Sequence, residues 1–329
     1  GTDLRTRRTP RPLQPQPRAV NAFPQPSTEE RRRLPNLLVV GGPKCGTTSL
    51  YHYLQAHAGV FMSAVKEPHY LARSCVAGKI PAWVDSYPEY AALFEGAEAY
   101  GIRGEASVFY LYYHEETIRN ALALLGRDVR IVMILRNPID RLLSAYHHQV
   151  RHTFEEPCAL PDALAREAQR IRRDDVNPMM HYKANGLYHA MVAAYCTRFE
   201  RVKVLIHDDL AADAGGVLRD LFAFLGVDPD HAIDTSQRHN PGGFAWAHPG
   251  IRRLIIGDGP LRKSRERLRA RNPELYNRLR GAFRAVFARR IRLDPSLRAE
   301  LSEFYREDVA RLSDLIGRDL SFWLDRGTP

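Results

Sequence analysis

Leu37-Leu38-Val39-Val40-Gly41-Gly42-Pro43-Lys44-Cys45-Gly46-Thr47-Thr48-Ser49 is the stretch that decides the fold. Four consecutive apolar residues followed by two glycines read as a short strand buried on both faces. The glycines make a tight turn, and the hydroxyl residues after Gly46 open a helix that runs to about Ala56. In a strand–loop–helix unit the backbone N–H groups and the helix dipole point into the loop, so an anion is its natural occupant. A nucleoside triphosphate loop would read G-x-x-x-x-G-K-[S/T]; here Gly41 and Gly46 keep the spacing, Thr47 stands at the lysine position, and the lysine comes earlier, as Lys44.

Outward from this loop, apolar strands alternate with helices. Ile102–Ser107 reads as a second strand, with a helix from about Glu115 to Leu125. Arg130–Leu135 is the clearest buried strand, and Asn137-Pro138 opens a helix to about His152. Val202–Ile206 is a further strand, followed by a helix from Val217 to Leu225 that Gly226 closes. The pattern predicts a single α/β, P-loop-like domain with a central parallel β-sheet flanked by helices and a helical C-terminal segment. Ligands of such sheets bind beyond the carboxyl ends of the strands, where the loop lies.

Composition sets limits. Of 329 residues, 44% are hydrophobic and 26% charged, which excludes a mostly disordered or fibrous chain. No apolar run reaches the ~20 residues of a membrane-spanning helix. The chain opens on Gly1-Thr2 rather than Met, so the expectation of a cytoplasmic protein holds only for a native N-terminus and leaves room for a removed leader or anchor. Four scattered cysteines, Cys45, Cys75, Cys158 and Cys196, show neither zinc-site nor disulfide-framework spacing. The net charge of +10 is uneven: residues 1–33 carry +5, residues 251–292 carry +11, and the rest is mildly acidic. Residues 1–33, with six prolines and eight arginines, are expected to be a flexible arm, and residues 34–329 the domain. The 251–292 segment has apolar residues at helical spacing (Leu261, Leu268, Leu275, Leu279) and reads first as an amphipathic helix with a solvated Arg face. The other reading is a lid over an anionic acceptor.

A second motif lies about ninety residues after the first: the strand ends in Arg136, Asn137-Pro138 opens the next helix, and Ser144 follows eight residues after the arginine. Together with Pro43-Lys44-Cys45-Gly46-Thr47-Thr48, this resembles the sulfotransferases that use 3′-phosphoadenosine 5′-phosphosulfate (PAPS), and the likeness extends from Leu34 to about Asp228. It implies a metal-independent in-line transfer of the sulfuryl group to a hydroxyl or amine of a carbohydrate, lipid or natural product, with 3′,5′-bisphosphoadenosine (PAP) as product. It also implies that Lys44, Cys45, Gly46, Thr47, Thr48 and Ser49 hold the 5′-phosphosulfate, with Lys44 stabilising the leaving oxygen. Arg136 and Ser144 would hold the 3′-phosphate, and Tyr188 in Asn185-Gly186-Leu187-Tyr188 would lie near the adenine.

The base is expected to be Glu67, twenty-three residues after Lys44, as in the Golgi heparan-sulfate branch and its bacterial relatives; His69 competes and Glu105 is a third choice. Cys45 beside Lys44 has the look of a reactive thiol, although its side chain is expected to be incidental. Three positions depart from the family. Ser49 stands where cytosolic members carry a Trp, Ala106 where the heparan branch carries a Lys, and Arg238-His239-Asn240-Pro241-Gly242-Gly243 replaces the usual 3′-phosphate loop, with Arg238 its substitute. The partner is then a small-molecule or glycan acceptor rather than nucleic acid, with the oligomeric state open. Two other functions fit parts of the sequence. A nucleotide kinase would need a lysine that the loop misplaces, and a basic polyanion-binding module would leave Lys44, Arg136, Ser144 and Glu67 without a purpose.

Overall fold

A computed structural model describes residues 26–152, 155, 158–235, 245–246, 288–289 and 293–325, with a few positions between 264 and 276. Residues 1–25, Arg238 and nearly all of the basic 251–292 segment lie outside the described residues. The end of the expected arm is helical: α1 (Thr28–Arg33) begins with a reciprocal capping box between Ser27 and Glu30, and Arg31 Nη2 donates to the Ala123 carbonyl at 3.1 Å.

Five parallel strands form the sheet: β1 (Leu37–Gly41), β2 (Val60–Met62), β3 (Ile102–Ala106), β4 (Arg130–Leu135) and β5 (Val202–Ile206), in the order β2-β3-β1-β4-β5. Between them run α2 (Thr47–Ala56), α3 (Arg73–Val76), α4 (Tyr87–Ala92), α5 (His114–Leu124), α6 (Pro138–Arg151), α7 (Leu160–Ala165), α8 (Glu167–Arg173) and α9 (Tyr188–Arg198). After β5 come α10 (His207–Ala212), α11 (Ala214–Leu225), a two-residue antiparallel pair of β6 (Ala245–Trp246) with β7 (Ala288–Arg289), α12 (Pro295–Ile316) and α13 (Phe322–Asp325).

All five β1 residues are buried, which is why that strand reads as an unbroken apolar run. Its alternate side chains divide between two cores. Leu38 and Val40 join Ile131, Met133 and Leu135 on one face; Leu37 and Val39 join Val132 and Ile134 on the other. The connection leaving β1 leads towards β2 and β3, whereas that leaving β4 leads towards β5. The loops after these neighbouring strands therefore part company, and a crevice opens between the carboxyl ends of β1 and β4. Both sequence motifs end at this switch point.

Helix α12 packs against α9 and α6 through Leu301, Tyr305, Val309 and Leu312. Asp308 on α12 accepts the Tyr188 amide at 2.7 Å and the His189 amide at 3.2 Å, capping α9 from 120 residues away. The chain's last described turn then seats Trp323 in the core. Its Nε1 donates to Asp208 at 3.1 Å, and its carbonyl accepts from the Asn137 side chain next to Arg136. The C-terminal segment thus braces the far end of β4.

Candidate active site

The loop after β1 is held by geometry that only glycine tolerates at two points. A Cβ on Gly41 would stand 2.8 Å from the Val108 carbonyl oxygen, and Gly46 adopts φ +102° at the entrance to α2. Gly42 N–H donates to the Ile134 carbonyl at 2.8 Å, pinning the loop to β4. Gly46 has no side chain with which to cap α2, so the amides of the helix's first turn face the crevice with Thr47, Thr48 and Ser49 around them. Lys44 also takes a left-handed backbone conformation, φ 67°. Burial, reinforced by the Arg151 guanidinium and opposed by the Glu67 carboxylate, brings its ammonium down to about 8.

Arg136, at the carboxyl end of β4, reaches the same loop, its Nη1 lying 3.4 Å from the Lys44 carbonyl. Asn137 caps α6 by accepting the amides of Ile139 and Asp140, at 2.9 and 3.3 Å, which fixes the helix that carries Ser144. One side chain of the sequence motif faces the interior. Tyr188 is completely buried beneath the loop, donating to the Arg136 carbonyl at 3.0 Å and touching Cys45 Sγ at 3.7 Å. It supports the two anion-binding segments from behind and has no surface to offer an adenine. Cys45 is equally buried, and burial pushes its thiol upward. This burial agrees with the expectation that the Cys45 side chain is incidental, since a buried thiol with a raised pKa is a poor nucleophile.

The three expected bases are separated just as clearly. Glu67 is the one whose carboxylate reaches the surface, 36% exposed and ion-paired with Lys66. Its amide donates to the Ala106 carbonyl at 2.9 Å, which holds it at the end of β3. His69 is 1% exposed, packed on Phe109 and Tyr110, with Nδ1 2.7 Å from the Glu67 carbonyl; burial lowers its basicity. Its ring is therefore withdrawn from solvent. Glu105 has no exposed surface at all and is surrounded by hydroxyl donors.

Sequence reasoning missed the second half of α6. His147, His148 and Arg151 follow Ser144 by three, four and seven residues, one helical face, and all three are electrostatically coupled to Lys44. Burial first, then the neighbouring cations, brings His147 down to about 4 and His148 to about 3, so both imidazoles are neutral at physiological pH. The i, i+3, i+4, i+7 spacing was visible in the sequence.

A crevice with a glycine loop at an uncapped helix, a lysine inside the loop and an arginine at the end of the adjacent strand has the geometry to receive an anion. The profile of the sulfotransferase domain matches residues 34–240, and the chain belongs to that family. Human carbohydrate sulfotransferase 15 is 25% identical over 253 residues, covering 60% of this chain and 45% of that protein. Human bifunctional heparan sulfate N-deacetylase/N-sulfotransferase 3 is 25% identical over 317 residues, covering 89% of this chain and 31% of that protein. This chain therefore spans less than half the length of these curated relatives. The crystal structure of a sulfotransferase from Alicyclobacillus acidocaldarius is 32% identical, covering 88% of this chain and 98% of that one, with a TM-score of 0.66. Neither the kinase nor the polyanion-binding reading is favoured by these matches.

Proposed function

We propose that this sulfotransferase takes PAPS as its donor and sulfates a hydroxyl or amine of a carbohydrate. The observation that carries the reading is the convergence of Lys44, Arg136 and the uncapped first turn of α2 at the β1/β4 switch point. The residues fit an adenosine bisphosphate. Amides from Cys45 to Ser49 with the Thr47 and Thr48 hydroxyls suit a 5′-phosphosulfate, and the planar Arg136 fork with Ser144 suits a 3′-phosphate. When bound, PAPS supplies an activated sulfuryl group on a phosphate leaving group.

The chain's own residues account for the rest. Lys44, at about 8, remains mostly protonated at neutral pH and faces the loop's anion, where it stabilises charge developing on a leaving oxygen. Glu67 accepts the proton of the attacking hydroxyl or amine, its carboxylate kept at the crevice by the backbone bond to Ala106. Arg151 adds positive charge beside Lys44, which favours an anionic glycan; the relatives' names, carbohydrate and heparan sulfate sulfotransferase, point the same way.

Calorimetric titration with PAP and with 5′-AMP tests the donor site. PAP is expected to bind more tightly, without added metal, and Arg136→Ala to abolish the preference. Equal affinity for the two nucleotides in the unmodified chain would contradict the assignment of the 3′-phosphate site.

A further inference from the structure

Glu105 is a carboxylate at the end of a central strand, on the face of β3 that packs into an aromatic core with Tyr70, Tyr90 and Tyr110. Such a group is costly to bury unless its oxygens are satisfied. Here three hydroxyls donate to it: Tyr110 at 2.7 Å and Tyr90 at 3.0 Å to Oε1, and Ser107 at 2.7 Å to Oε2. Burial pushes Glu105 up to about 7, with these hydroxyls opposing the rise.

Ser107 faces two ways. Its hydrogen is committed to Glu105, which leaves a lone pair aimed elsewhere, and the His69 amide donates to it at 3.0 Å. Tyr110 is used in the same manner, its hydroxyl donating to Glu105 while accepting the Leu71 amide at 3.0 Å. The segment held by these bonds is strained. Glu67 and His69 are both non-glycine residues in the left-handed region, at φ 64° and 53°. Such conformations persist only where surrounding contacts over-determine them. The contacts found are the Glu67 amide on Ala106, His69 Nδ1 on the Glu67 carbonyl, and the His69 amide on Ser107.

We propose that Ser107 and Glu105 are positioning residues for the Glu67 carboxylate, with the buried Glu105 orienting the Ser107 hydroxyl so that it holds the His69 amide and, through it, the turn that carries Glu67. The proposal rests on Glu67 being the base. A residue fixed in this way contributes to turnover without touching either substrate, because a displacement of about 1 Å in a reacting group can cost on the order of 100-fold in rate.

Two substitutions separate positioning from simple support of the core. Ser107→Ala and Tyr90→Phe each delete one hydroxyl donor to Glu105, but only the first severs the link to His69. Phe at position 90 also keeps the ring that stacks on Tyr70, 4.5 Å between centroids. Both variants are compared with the unmodified chain by PAP affinity, by transfer from PAPS to desulfated heparan and chondroitin oligosaccharides, and by hydrogen exchange of the peptide spanning 63–71. Ser107→Ala is expected to lower kcat by about ten- to 100-fold with PAP affinity within twofold, and to speed exchange of the His69 amide. Tyr90→Phe is expected to do neither. In a Glu67→Gln background Ser107→Ala should cost little more, because the group it positions is already gone. If Glu67→Gln is inactive while Ser107→Ala and Tyr90→Phe match in kcat, or if His69 exchange is unchanged in Ser107→Ala, the positioning role is overturned and the base stands. Normal turnover in Glu67→Gln overturns the base and this proposal with it.

Discussion

Lys44 offers a quantitative test, because the proposed donor site needs its proton for anion binding and that proton is held less firmly than in an ordinary lysine. Burial and the Arg151 guanidinium bring it from 10.5 down to about 8 in the free protein. A bound bisphosphate favours the charged form, so in the complex the ammonium keeps its proton to higher pH. Affinity should therefore be flat below pH 8 and fall towards one log unit per pH unit above it. For a group at about 8, the protonated fraction drops roughly 25-fold between pH 7.5 and 9.5, and the PAP dissociation constant should rise by about that factor. Other groups near the loop do not mimic the effect. His147 and His148, at about 4 and 3, are already neutral, while burial raises Cys45 and carries Tyr188 well above its ordinary value. The assay is calorimetric titration with PAP at half-unit pH steps, on the unmodified chain and on Lys44→Arg, whose guanidinium does not titrate in this range. A flat profile in the unmodified chain, or the same slope in Lys44→Arg, would refute the reasoning.

Three further outcomes follow from the geometry. Arg136→Ala should weaken PAP by about 30- to 100-fold, roughly 2–3 kcal/mol for lost charge-assisted bonds, and Arg136→Lys should recover only part of it because a point charge cannot replace the planar fork; calorimetry that finds less than a threefold loss in Arg136→Ala counts against the site. Gly46→Ala puts a Cβ 3.2 Å from the His207 ring at φ +102°, so thermal unfolding should show a loss of about 1–3 kcal/mol together with weaker PAP binding as the first turn of α2 shifts. Glu105 has a raised value in the fold, so its stabilising contribution is fully present below the ordinary carboxylate range, near 4.5, and is lost as pH rises through about 7. Glu105→Gln removes that titration, and the melting temperature of the unmodified chain relative to Glu105→Gln should fall between pH 5 and 8; a constant difference would contradict the assignment.

The sheet was legible because β1 and β4 carry unbroken apolar runs, Leu37–Val40 and Ile131–Leu135, next to loops with glycine or Asn-Pro signatures. β4 and β5 fall where the sequence places them, and β1 and β3 differ by one residue at an end. β2 escaped because three residues, Val60–Met62, carry too little pattern to stand out from a loop. The placement of Lys44 in the loop after β1 and of Arg136 just past β4 was legible, because each lies inside a spaced motif next to a strand. The inward orientation of Tyr188 and His69 was not legible, because a short motif names residues without saying which side of the backbone they occupy. The left-handed backbone at Glu67 and His69 was out of reach because neither residue type advertises it as a glycine would. The face of α6 beyond Ser144 was readable, since His147, His148 and Arg151 recur at helical spacing after it.

The most direct test of the whole account is transfer of radiolabelled sulfate from PAPS to desulfated heparan, chondroitin and neutral oligosaccharides, by the unmodified chain and by Glu67→Gln. Label is expected on at least one anionic glycan, with PAP released in step, and its loss in Glu67→Gln while PAP still binds. Tight PAP binding with no label on any glycan would contradict the carbohydrate acceptor, and undiminished transfer by Glu67→Gln would contradict the base.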